Sequence, residues 1–145
     1  MNIIMNIKRY LLCAIMLSVT MTITAAYKAK NIYMYGFAAS FNDSTVYFTE
    51  VQQLDSAYID SKTKFLFSRQ NYSYQLRDYL AENGFPNATC VTFFALTRKE
   101  AEKKYLAFRK RYLEGNNYTI KYLKESEFKY IPIKAAEENI SAHNK

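Results

Sequence analysis

Asn31-Ile32-Tyr33-Met34-Tyr35-Gly36-Phe37-Ala38-Ala39-Ser40, then Asn42-Asp43-Ser44, then Thr45-Val46-Tyr47-Phe48-Thr49-Glu50-Val51, is the stretch on which the fold turns. In the first segment Ile32, Met34, Gly36 and Ala38 alternate with Tyr33, Tyr35, Phe37 and Ala39. Both sets are apolar or aromatic, so a strand is expected over Asn31–Ser40, covered on both faces or central in its sheet. Asn-Asp-Ser is turn chemistry, because short polar side chains bond their own backbone. Thr45–Val51 alternates Val46 and Phe48 against Tyr47 and Thr49, which predicts a second strand and an antiparallel hairpin.

Working outward toward the C-terminus, Asp55–Gln70 gives no clear period, and Asp55-Ser56 and Asp60-Ser61 favour local turns. Tyr72, Leu76, Tyr79 and Leu80 then fall on one stripe of a helix, with Asn71 or Ser73 as its cap and Gly84 at its end. The apolar run Cys90–Leu96 suits a strand buried on both faces. Thr97-Arg98-Lys99-Glu100 is a capping box that opens a helix to about Leu113. Its buried stripe is expected from Ala101, Tyr105, Phe108 and Tyr112, widened by Leu106 and Leu113, and Gly115 stops it. Tyr118–Leu123 alternates as a strand, and Phe128–Ile133 offers one more, ended by Pro132. The order strand, strand, helix, strand, helix, strand, with that extra strand in reserve, predicts an α+β fold. Its core would be a small mixed β-sheet with two helices packed on it.

Working outward toward the N-terminus, Lys8 and Arg9 precede an uncharged apolar run, Tyr10 to Ile23, that ends in Thr24-Ala25-Ala26. A positive start, a short greasy helix and small residues are the order of an export signal, so residues 1–26 are expected to be removed after Ala26. The alternative, a retained anchor, wants a span of about 20 apolar residues, more than this run supplies. Residues 27–133 would then form a single domain, with a polar frayed tail over 134–145. A periplasmic or secreted location follows. The mature chain keeps Cys90 alone, so no internal disulfide can staple it and a conventional core must hold it. The formal charge of +7 becomes +5 without Lys8 and Arg9, an excess that suits anionic envelope surfaces. Nucleic acid is not expected in that compartment.

Catalytic patterns are sparse. The sole histidine, His143, lies in the polar tail, where no fixed general-base geometry is available. The three glycines Gly36, Gly84 and Gly115 make no phosphate loop. No cofactor or metal is expected. Asp43, Glu50, Asp55 and Asp60 are the only group from which a carboxylate-dependent hydrolase could draw an acid and a base. Two features suggest binding instead. The helix after Thr97 bears Lys99, Lys103 and Lys110 among its many cations, a docking face for an anionic surface or glycan. Among fourteen tyrosines, with no tryptophan, Tyr33, Tyr35 and Tyr47 could make a platform for a sugar or a protein partner, or equally serve as core.

Tyr35-Gly36-Phe37-Ala38-Ala39-Ser40-Phe41-Asn42-Asp43-Ser44, Asp60-Ser61-Lys62-Thr63-Lys64-Phe65-Leu66 and Tyr72-Ser73-Tyr74-Gln75-Leu76-Arg77 together resemble a family of small exported proteins from Gram-negative gut bacteria. The resemblance extends through Thr89-Cys90-Val91 and the basic helix. It implies export and a single domain; the family has no assigned activity, so it implies no site residue. The expectation is a non-enzymatic binding module. The alternatives are an inhibitor or accessory subunit of an envelope complex, working through an exposed strand edge, and a small hydrolase using carboxylates.

Overall fold

The computed structural model describes residues 2–8, 10 and 27–135. The apolar run beyond Tyr10 expected to serve as a leader, its expected cleavage point and the tail from 136, with His143, lie outside the described residues. Residues 2–8 are helical and exposed, and none of them joins either buried cluster. Among the described residues no helix is long and apolar enough to cross a membrane.

The fold is α+β, with a five-stranded mixed sheet: β1 (Tyr27–Ser40), β2 (Asp43–Thr49), β3 (Gln52–Asp60), α1 (Arg69–Glu82), β4 (Thr89–Ala95), α2 (Arg98–Leu113) and β5 (Thr119–Leu123). β1 is the spine. Tyr33 and Met34 pair with both β3 and β4, and Phe37, Ala38 and Ala39 with both β2 and β4. A strand has two edges, so β4 holds one, and β2 and β3 succeed each other along the other. β5 adds to β2 in parallel, Val46 opposite Ile120. The hairpin is therefore longer than its alternation suggests: β1 opens four residues early, at Tyr27, and a third strand fills the stretch that looked like turns.

That strand is hidden by two bulges. Phe37 faces Phe48 but Met34 faces Gln52, so three steps on β1 meet four on its partner. Ile32 faces Leu54 but Lys30 faces Ala57, the extra residue falling at Asp55-Ser56, with Ser56 at φ 59°. Asp60 does make the expected turn: its Oδ1 accepts from the Lys62 and Thr63 amides, both at 2.8 Å.

The two helices cover opposite faces. Ile32, Met34 and Ala38 of β1 join Leu54, Ala57, Ile59, Leu76, Leu80, Phe128 and Tyr130 under α1. Phe37, Val46 and Phe48 meet Phe93, Tyr105, Phe108 and Tyr112 under α2. Phe48 has the rings of Phe37, Tyr105, Phe108 and Tyr112 within 5.9 Å, mostly edge-on, contacts worth about 0.5–1.5 kcal/mol each beyond burial.

Several local expectations change. Phe128–Ile133 is not a strand. It is an extended strap held by side chains: Gln52 Nε2 donates to Phe128 O at 2.7 Å while Gln52 Oε1 accepts from Tyr130 N, and Gln75 grips Ile131 in the same two-handed way. Pro132 has no N–H to give to a ladder, and side-chain amides hold the segment instead. β4 is half-open rather than buried on both faces, because it is an edge. α1 begins at Arg69 behind Ser68, which sits in the left-handed region and makes no side-chain cap. Thr97 caps α2 as expected, accepting from the Glu100 amide at 3.3 Å, but the Glu100 carboxylate pairs with Lys104 at 3.0 Å.

Candidate functional site

The tyrosines of the hairpin do not form one platform. Side chains alternate across a strand, so Tyr33 and Tyr35 share the α2 face, while Tyr47, opposite Ala38, lies on the α1 face against Phe85. Tyr35 is buried, stacked on Phe93 at 5.1 Å and edge-on to Tyr105 at 5.2 Å. Burial, and then the neighbouring Tyr105, push its hydroxyl up to about 12. Tyr33 is half-buried under the Arg98 guanidinium, 5.0 Å from the ring centroid. Tyr35 belongs to the core; Tyr33 and Tyr47 are its two separate margins.

Each of the four carboxylates is engaged by a different neighbour. Asp43 Oδ1 accepts from the Thr45 amide, Glu50 Oε2 from the Glu125 amide, and Asp55 Oδ1 from the Gln53 side chain. Amides of Thr63 and Lys62 hold the Asp60 carboxyl below its ordinary range, and the Thr45 amide does the same for Asp43. Along β3, five residues at about 3.3 Å each put roughly 15 Å between Asp55 and Asp60. A glycosidase pair needs about 5–9.5 Å. Among the described residues no group of three or more His, Cys, Asp or Glu is placed to hold a metal ion.

The outer side of α2 is different, because there the residues do come together. At 3.6 residues per turn, Lys99, Lys103, Leu106, Lys110 and Leu113 fall within about 80° of arc, diametrically opposite the buried stripe. All five are exposed, Leu106 at 54% and Leu113 at 50%. The two leucines therefore do not widen the core stripe, as their apolar character suggested. They stand among the lysines. The i, i+7, i+14 spacing of Lys99, Leu106 and Leu113 carries that signal in the sequence. Lys110 pairs with Glu114 at 3.6 Å, whereas Lys99 and Lys103 have no acidic partner within 4.0 Å among the described residues. Arg109 turns inward between the rings of Tyr105 and Tyr122, at 5.6 and 5.9 Å.

The fold holds this row rigidly. Ala101 is fully buried against the sheet, Tyr105, Phe108 and Tyr112 lock the helix over Phe37 and Phe48, and the Thr97 cap sets its start. No protein-family model, no curated protein and no solved structure matches this chain.

Proposed function

We propose that this chain is an exported, non-enzymatic binding module that docks on an anionic lipid surface through the outer row of α2. The observation that supports it most is Leu106 and Leu113, exposed between Lys99, Lys103 and Lys110 on a helix whose opposite side is anchored. Lysines seek headgroup phosphates, and leucines gain only where they can leave water, so lipid is favoured over a soluble acidic glycan. Export is supported by the leader pattern, Lys8 and Arg9 before an uncharged apolar run that ends in Thr24-Ala25-Ala26. Among the described residues, none before Tyr27 belongs to either buried cluster.

The test is co-sedimentation of the protein with vesicles of phosphatidylglycerol and phosphatidylcholine against phosphatidylcholine alone. Binding to the anionic vesicles only, reduced by 0.5 M-scale salt (about a threefold shorter screening length than at low salt) and lost in the Lys99→Glu/Lys103→Glu/Lys110→Glu variant, is the expected result. Equal binding of wild type and variant removes this row from the function. In a Gram-negative host the protein is expected outside the cytosol with an N-terminus at Tyr27 by mass spectrometry; intact product in soluble cytosol still bearing Met1 overturns export.

A further inference from the structure

β4 offers a backbone edge that no described strand covers. Among the described residues it pairs only with β1. Gly36, which faces Thr92, sends its N–H the other way, to Thr49 Oγ1 at 2.8 Å. In an antiparallel pair, opposite residues exchange both bonds or neither, alternately. The Gly36–Thr92 pair exchanges neither, so the Thr92 N–H and C=O point outward, and so do those of Cys90 and Phe94. The Arg69 side chain marks this direction, since its Nε donates to Thr92 O at 2.7 Å from outside the sheet.

The rim of this edge is basic on balance, Asp78 near Cys90 being paired with Arg77, while the strand itself is uncharged. Lys64 and Arg69 approach from the α1 side, with Lys104 and Arg111 from α2. A groove of about 440 Å³ beside the edge is lined by Lys64, Phe65, Arg69, Phe94, Leu96 and Lys104. Its single acid, Glu100, is engaged by Lys104. Phe65 and Leu96 are exposed in it, at 71% and 43%.

We propose that the free edge of β4 takes an extended acidic segment of a partner protein as a sixth strand of the sheet. The partner's N–H replaces Arg69 at Thr92 O, and the released guanidinium takes a carboxylate, so no buried polar group loses a partner. Apolar residues of the incoming strand fill the groove over Phe65, Phe94 and Leu96. A second copy of this chain is disfavoured as occupant, because two-fold pairing of β4 with itself would set one cationic rim against the other. Until a partner arrives, Arg69 blunts the edge, a common protection against indiscriminate pairing.

The probe is a fluorescein-labelled heptapeptide alternating glutamate and valine, titrated into the full chain by anisotropy. Two controls accompany it: lysine in place of glutamate, and N-methylation at the central valine. The acidic peptide is expected to bind, the lysine peptide not to bind, and N-methylation to weaken binding about tenfold or more. Amide exchange should slow at Cys90, Thr92 and Phe94, the outward-facing N–H groups, with little change at Val91 and Phe93. Arg69→Ala should weaken binding and Arg69→Lys partly restore it. Equal affinity of the N-methylated peptide would reduce the contact to charge alone and overturn the proposal, as would absence of binding. Concentration-dependent protection of the same three amides without peptide would also overturn it, in favour of self-pairing.

Discussion

A methyl group at position 36 would sit 2.7 Å from Leu76 Cδ2 and within the contact radius of Tyr130 Oη. Gly36 is therefore there for space: α1 and the C-terminal strap both close over β1 at this point. Gly36→Ala is expected to lower stability by about 1–3 kcal/mol, the cost of overpacking a tight core, read as a lower urea midpoint at unchanged slope. An unchanged midpoint would mean the strap can move aside freely. Cys90, on the same face one register step from Thr92, is governed by burial. Desolvation, only partly relieved by Arg77, pushes its thiol up to about 11 from 9.0. Two units leave about a hundredfold less thiolate at neutral pH than an unshifted thiol has. Reaction with a chromogenic disulfide is expected to be correspondingly slow in the native protein and fast in denaturant; fast native labelling would place the sulfur in solvent. The residue type announced neither fact, since a glycine in a strand and a lone cysteine each admit several explanations.

At the scale of elements, β3 is the instructive case. The residues it and the end of β2 turn toward α1 are Tyr47, Thr49, Gln52, Leu54, Ala57 and Ile59, with spacings of two and three in alternation. A strand has period two, and each bulge slips it by one, so no single-period template fits the run. α2 was legible end to end, because its apolar stripe, cap and stop agree. The strap over Phe128–Ile133 depends on a residue 76 positions away, Gln52, which satisfies its backbone from inside the core. Gln52→Leu leaves Phe128 O and Tyr130 N without partners, at about 1–3 kcal/mol each. Gln52→Glu keeps an acceptor for Tyr130 N but loses the donor to Phe128 O. Both variants are expected to melt earlier and to free the amide of Tyr130 for exchange, Glu less so at acid pH, where its protonated carboxyl can donate. Native-like protection of Tyr130 in Gln52→Leu would show the strap is held by packing alone.

Across the whole molecule, a sheet filled on both faces by aromatic residues gives a distinctive response to alkali. Burial raises the hydroxyls of Tyr35 and Tyr130, and also those of Tyr72, Tyr105 and Tyr112. In the unfolded chain tyrosine ionises near about 10. Above that value the unfolded state gives up protons that the folded state retains, so stability falls as pH rises. The contribution is complete below about pH 10 and, for Tyr35, lost as pH climbs through about 12. The urea midpoint is expected to hold nearly level up to about pH 9 and to fall steeply beyond about 10, and Tyr35→Phe to shallow that fall. A midpoint insensitive to alkali would mean that the tyrosine hydroxyls reach solvent.

The amino-acid order by itself determined the hairpin, both helices and their stops, the Thr97 cap of α2, β4, β5 and the α+β class, because each is announced within a dozen residues by period, cap or turn chemistry. It also supplied the basic character of α2. Only the tertiary structure decided which face each helix covers, that Leu106 and Leu113 remain in water, that the hairpin tyrosines part company, and that among the described residues no strand pairs with the outer edge of β4. Those properties depend on what lies opposite a residue, and the two bulges that set what lies opposite are made by pairing between strands, which no local pattern encodes.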